Sequence, residues 1–348
     1  MSPGPPTPPI GNITLEVTHR CHRRCTFCYL PGLAHRDART CVELTAEQII
    51  HAALTVIDAS GCKRIQLSGG EPLLRPDLAT IAVALAAHGA DLSVLTDGAQ
   101  LDESRAKELV ASGVRAIQPT LLAARPDVHD ELRGTGAFRD VTRAIAAAAA
   151  SGLEVSVCMV VTRRNFDQAA DVAALAFALG ARGLALSRYC PAGAASTASA
   201  RLMPDALHVR QAAEAAARVC RDIGLPLAAA VTVPSCVWSD PEHPPLKTGV
   251  CSLAGPKATV TIGPEGSIRS CSLSTRSVGN ILSDAWETCW QRLWEQQLEP
   301  VRASCPPSCA GCAWLSRCLG GCRMSALAAS GSLAGPDPLA LGPVRRTR

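Results

Sequence analysis

The sequence predicts an α/β protein in which six βα units form a partial barrel and a small cysteine-rich domain follows. Two observations carry this. Short β-branched runs alternate with longer alanine-rich amphipathic stretches, the pattern of repeated βα units with parallel strands. The texture then changes after about residue 190, where small residues and later clustered cysteines take over. Strands are expected at 13–17, 64–67, 92–95, 116–119, 155–161 and 184–187, and helices at 45–59, 77–88, 102–112, 138–151 and 166–179. Ser60-Gly61, His88-Gly89, Ser112-Gly113 and Ser151-Gly152 close most of these helices, as glycine does just past a helix end.

The strands place the chemistry, because ligands of βα barrels sit at the carboxyl ends of the strands. After the first strand comes Cys21-His22-Arg23-Arg24-Cys25-Thr26-Phe27-Cys28, with three thiols in eight residues. Three thiolates at this spacing read as a metal site. Four protein ligands would close an iron-sulfur cluster, whereas three leave one iron open for chemistry. A zinc site completed by His19 or His22, and core cysteines gathered by chance, are the competing readings. After the second strand comes Ser68-Gly69-Gly70-Glu71-Pro72. Glycine suits a place where backbone must approach a ligand closely.

Composition excludes several classes. The chain has 348 residues, enough for one large domain and a small one, and a net charge of +4 that is not gathered into a block, so nucleic-acid binding is not indicated. Arg345, Arg346 and Arg348 alone form a basic end, read as a solvated tail. No apolar run reaches membrane-spanning length. Seventeen cysteines without a signal peptide in a long chain predict reduced thiols and a cytoplasmic protein. The domain expectation is a disordered, proline-rich lead-in over 1–10, the barrel over 11–200, a bridging helix and linker over 201–245, the cysteine-rich domain over 246–325 and a flexible tail over 326–348. The lead-in is too short to be a peptide-recognition domain.

Cys-x3-Cys-x2-Cys with an aromatic before the last cysteine, followed by Gly-Gly-Glu-Pro, resembles the signature of the radical S-adenosylmethionine (radical SAM) enzymes. The resemblance implies a partial (β/α)6 TIM-like barrel. It implies that Cys21, Cys25 and Cys28 hold a 4Fe-4S cluster whose open iron chelates SAM, and that Gly69, Gly70 and Glu71 line the methionine end. Phe27 fits the aromatic position beside the adenine, and His22 replaces a common asparagine. Thr96-Asp97-Gly98 stands where the family often has Thr-Asn-Gly. Thr120, after strand four, matches a hydroxyl that often contacts SAM, although satisfying local backbone is an equal reading of it. His129 to Gly134 resembles a segment of peptide- and cofactor-maturing members and is read as a structural turn into the next helix.

Residues 191–200 read as a linker or lid rich in small residues, and 203–223 as a helix. Cys251-x14-Gly266-x4-Cys271, with a hairpin over 259–270 turning at Pro264-Glu265-Gly266, precedes Cys309-x2-Cys312-x5-Cys318-x3-Cys322. This resembles the SPASM extension, which holds auxiliary 4Fe-4S clusters; a zinc ribbon is the alternative. By that resemblance Cys251, Cys271 and Cys322 belong to a first auxiliary cluster, and Cys309, Cys312 and Cys318 to a second. No cysteine follows Cys322, where relatives have one more. Cys236 is the candidate to cap the first cluster and Cys305 to complete the second. Trp286, Trp290 and Trp294, at helical spacing beside Cys289, read as core packing, and Cys289 is left out of the ligand set.

The resemblance implies an enzyme that takes an electron from a reduced flavodoxin or ferredoxin, cleaves SAM to a 5'-deoxyadenosyl radical and abstracts hydrogen from a substrate. The first-ranked substrate is a ribosomally made peptide, with a separate recognition protein as a possible partner. The alternative is epimerisation, dehydrogenation or decarboxylation of a sugar or nucleoside, in which Cys158 or Cys190 would donate hydrogen. A third reading, an iron-sulfur protein without catalysis, is opposed by the intact triplet.

Overall fold

The computed structural model describes residues 9–30, 42–240 and 242–344. The lead-in up to Pro8 and the terminal arginines lie outside the described residues. Six parallel strands form the centre: β1 (Ile10–Glu16), β2 (Arg64–Ser68), β3 (Asp91–Thr96), β4 (Val114–Pro119), β5 (Glu154–Val161) and β6 (Gly183–Arg188). The sheet is longer than six strands. β7 (Leu227–Ala229) joins β6, while β8 (Ala258–Ile262) pairs parallel with β1 and carries the antiparallel β9 (Ile268–Arg269). The result is an open nine-stranded sheet in the order β7-β6-β5-β4-β3-β2-β1-β8-β9. The expected bridge and the expected C-terminal domain therefore each lend strands to the barrel sheet.

Between the strands run α1 (Ala46–Ser60), α2 (Leu78–Ala87), α3 (Glu103–Ala111), α4 (Pro126–Arg133), α5 (Ala137–Ala150) and α6 (Ala169–Ala178). α1 shows why such stretches fold locally. Thr45 and Gln48 form a reciprocal capping box, Gly61 ends the helix at φ 69°, and Ile49, Ala52, Ala53, Val56 and Ile57 make its buried face. α4 is a helix where the sequence predicts a turn.

Strand alternation sorts the two faces of the sheet. Ile13 and Leu15 stand beside Ile65 and Leu67 in register and are buried in one core with α1. Asn12, Thr14, Gln66, Ser68, Gln118, Thr120 and Ser156 line a cavity of about 1600 Å³ on the other side. That polar face is where a ligand can be held.

The expected flexible tail is a correction. The helix Arg323–Ser330 and the chain beyond it as far as Leu339 pack onto the barrel, with Asp337 and Leu339 buried. Arg188 Nη1, at the end of β6, lies 2.7 Å from both carboxylate oxygens of Asp337, and the Cys322 amide donates to Asp337 Oδ2 at 2.7 Å. The proline- and glycine-rich sequence around Asp337 hid this, because the charged partner of the buried carboxylate comes from β6, far away in sequence. Asp337→Ala leaves a buried guanidinium unpaired and is expected to cost about 3–5 kcal/mol, whereas Arg188→Met with Asp337→Leu recovers most of the loss. Guanidinium midpoints of the two variants check this. Equal midpoints for the parent and Asp337→Ala would remove the pair from the stabilising contacts.

Candidate active site

The three thiols of the triplet sit on the cavity wall on a loop that is fixed along its length. The Cys28 amide donates to the Cys25 carbonyl at 3.2 Å, and the Thr26 amide donates to the Leu132 carbonyl of α4 at 3.1 Å. Ala195 donates to the Cys28 carbonyl at 2.8 Å. Residues 191–200 are thus a brace rather than a linker: a short 3-10 helix, Gly193–Ala198, carries Ala195 into an apolar cluster with Phe27, Leu122, Leu132, Tyr189 and Leu202. α4 explains the His129 to Gly134 segment. His129 is buried and its Nδ1 accepts from the Leu122 amide at 3.1 Å, and burial pulls its pKa down to about 3, so it stays neutral.

Arg133, which sequence reasoning missed, closes the same corner. Its guanidinium lies 5.5 Å from the Phe27 ring centre and donates to the Thr120 carbonyl at 2.9 Å. Its charge also lies beside Cys25. An arginine at the last position of a helix, here Arg133 of α4, carries no sequence signal of this kind. Burial pushes the Cys21 thiol up to about 12 and the Cys28 thiol up to about 11. These groups become thiolates at neutral pH only against a strong positive centre, which is what a metal provides.

The glycine turn lines the cavity and also braces the loop that leads into Cys21. Gly70 and Glu71 donate their amides to the Thr18 and Arg20 carbonyls, both at 2.8 Å. A Cβ on Gly69, whose φ is +130°, would lie 2.4 Å from the Thr18 carbonyl oxygen, and one on Gly70 would lie 2.2 Å from that of Arg20. The missing side chains let the turn after β2 approach the chain leading into Cys21, so these glycines set the cluster loop as well as the cavity wall. Glu71 is likewise a positioning residue here. Its Oε1 accepts from Thr96 Oγ1 at 2.7 Å and the Leu73 amide at 3.1 Å, and its Oε2 from the Asp97 amide at 2.7 Å. Burial, reinforced by the Asp97 charge, pushes its carboxyl up to about 8.

The two histidines proposed for zinc have other partners. His22 Nε2 is 3.3 Å from Asp97 Oδ2, and His19 Nε2 is 2.9 Å from Glu265 Oε2, in the β8–β9 turn. Among the described residues no three His, Cys, Asp or Glu side chains are arranged around a single ion. Three soft thiols spread on the wall of a large cavity instead fit a cluster with room beside it.

Cys251, Cys271 and Cys322 line the same cavity as the triplet. Burial pushes Cys271 up to about 12 and Cys251 up to about 11, while a hydrogen bond from Cys190 draws Cys322 down to about 6. Two placements depart from the sequence reading. Cys236 does not stand with the first set: its sulfur accepts from the Leu341 amide at 3.2 Å, and the adjoining Ser235 amide donates to Cys318 at 3.3 Å. Cys305 is exposed, and its thiol meets its own neighbour, the Pro306 carbonyl, at 3.5 Å. Cys158 lies on the cavity wall, and Cys289 is buried beside the tryptophan stripe as expected.

An open parallel barrel that presents three closely spaced thiols beside a glycine-glycine-glutamate turn defines a radical SAM enzyme. The profile of the Radical SAM superfamily matches residues 15–176. The PqqA peptide cyclase of Ruegeria pomeroyi is 30% identical over 335 residues, covering 93% of this chain and 85% of that one. The mycofactocin maturase MftC of Mycolicibacterium smegmatis is 28% identical over 337 residues, covering 94% and 81%. Among solved structures, Streptococcus suis SuiB bound to precursor peptide SuiA superposes with a TM-score of 0.73 at 15% identity, covering 95% of this chain and 75% of that one. The chain belongs to the radical SAM superfamily, with a SPASM-type extension, and is an enzyme that uses SAM and a 4Fe-4S cluster. Among the described residues no helix is long and apolar enough to cross a membrane.

Proposed function

We propose that this enzyme matures a ribosomally made peptide by oxidation or crosslinking. The observation that carries this is the cavity. At about 1600 Å³ it exceeds the roughly 300–1,000 Å³ that a drug-sized ligand fills, leaving room for a chain segment beside SAM. Its wall joins the barrel triplet to Cys251, Cys271 and Cys322, so a substrate held there lies between a hydrogen-abstracting site and an electron acceptor. The relatives named as a peptide cyclase and a maturase support a peptide over a sugar or nucleoside.

Cys21, Cys25 and Cys28 would hold the barrel cluster, with Phe27, Gly69, Gly70, Thr96 and Thr120 along the SAM side. When bound, the cluster and SAM supply a 5'-deoxyadenosyl radical that takes hydrogen from an unactivated C–H bond. The protein's share is to bind, orient and exclude water. Arg133 fixes the Phe27 ring from behind, Glu71 ties the glycine turn to the end of β3, and the 191–200 brace covers the triplet loop. A flavodoxin or ferredoxin supplies electrons in the cytoplasm, and a separate recognition protein presents the leader of the peptide.

The test uses reconstituted enzyme, dithionite, SAM and the synthetic peptide encoded by a short reading frame adjoining the gene. The expected result is peptide-dependent 5'-deoxyadenosine and a product lighter than the substrate by one or more hydrogen pairs in the mass spectrum. An unchanged peptide together with turnover of a sugar or nucleoside from a neighbouring pathway would replace this reading by the small-molecule one.

A further inference from the structure

We propose that both auxiliary clusters draw their fourth thiolate from outside the cysteine-rich motif: Cys190, just past β6, completes the set Cys251, Cys271 and Cys322, and Cys236 completes Cys309, Cys312 and Cys318. Cys190 is buried and lines the cavity together with the other three members of its set. Its thiol lies close to that of Cys322. Ser325, one helical turn beyond Cys322, donates its hydroxyl to Cys190 Sγ at 3.5 Å. The buried Arg188–Asp337 pair, with the Cys322 amide on the same carboxylate, holds the end of β6 against Cys322. Position 190 is therefore built into the first site by contacts from both sides.

The second set is tied by backbone amides. Ser235 donates to Cys318 Sγ, which brings the Cys236 loop onto the motif. The run 341–344 touches both partners, with Leu341 donating to Cys236 Sγ and Val344 to Cys312 Sγ at 3.4 Å. Cys309 in turn lies near Cys318, Cys236 and Cys312. Such N–H donors to sulfur are one of the levers that set a cluster's potential, so the chain after Cys322 contributes amides where the family pattern contributes a thiol. Four thiolates close each site, so neither auxiliary cluster has an iron open to substrate. Electron transfer is the role left to them. Through Cys190 the first cluster is anchored to the barrel strand itself.

The assignment rests on the C-terminal cysteines binding clusters, and its test needs no substrate. Full-length protein with Cys21, Cys25 and Cys28 all changed to alanine is reconstituted anaerobically and is expected to hold about eight irons in two clusters of four. On that background, Cys190→Ala and Cys236→Ala are each expected to lose up to about four irons. Cys190→Ser and Cys236→Ser, which keep the volume and an oxygen ligand, are expected to alter the electron paramagnetic resonance spectrum of the reduced protein. Cys305→Ala should match the background in iron, sulfide and spectrum. Serine variants indistinguishable from the background, or loss of a cluster in Cys305→Ala, would overturn the assignment. A background protein without iron would remove the clusters themselves, independently of whether the substrate is a peptide.

Discussion

Cys25→Ala enzyme, reconstituted and given dithionite and SAM, is expected to release no 5'-deoxyadenosine above the enzyme-free control. Cys25 is the central thiol of the triplet, on a loop pinned by the Cys28 and Thr26 amides and beside the Arg133 guanidinium. With two thiols left, the barrel site lacks a ligand for a stable four-iron cluster. The loss should be on the order of a thousandfold or more, as for removal of a group on which all turnover depends. Chromatography of the quenched reaction measures it. Iron per chain should fall by about four at the same time. Undiminished cleavage would mean that the triplet does not hold the reacting cluster.

The triplet was legible because its three thiols stand within eight residues. The same holds for β1 to β6, whose β-branched runs alternate with helices over short connections. What the sequence hid is non-local. β7 is three residues, Leu227–Ala229, with no run long enough to register as a strand. β8 was visible as one arm of a hairpin, but its parallel partner is β1, at the other end of the barrel, and no local pattern announces such a pairing.

The site divides in the same way. Glycines at 69 and 70 announce a close approach without saying to what, and the structure shows backbone from residues 18–20 on the other side. Glu71 is conspicuous in the motif, yet its carboxylate is spent on Thr96, Leu73 and Asp97. Cys190 carries no motif at all. It follows a barrel strand as any buried cysteine might follow one, and only the return of the chain through Cys322 and Asp337 gives it a set to belong to. Cys305 has the opposite history, since proximity in sequence to Cys309 suggested a ligand that the fold leaves exposed.

Gly70→Ala is expected to weaken the barrel cluster and SAM binding together. The added Cβ would lie 2.2 Å from the Arg20 carbonyl oxygen, 2.6 Å from its carbon and 2.8 Å from the His19 oxygen. All three are backbone atoms, so no side chain can swing aside. Overpacking of a tight site typically costs 1–3 kcal/mol, occasionally more, and here relief comes only by moving the chain one residue before Cys21 or by breaking the Gly70 and Glu71 amide bonds to Thr18 and Arg20. Either response displaces Cys21 from its place on the cavity wall. Gly249→Ala is the control, because a Cβ there meets nothing within 4 Å. Reconstituted Gly70→Ala should hold closer to about eight irons than twelve and bind SAM at least about tenfold more weakly by calorimetry, a difference of roughly 1.4 kcal/mol. A full iron complement with weakened SAM binding would place the turn on the cofactor alone. Parent-like values for both would show that the loop before Cys21 can yield without consequence, and the glycine would lose its positioning role.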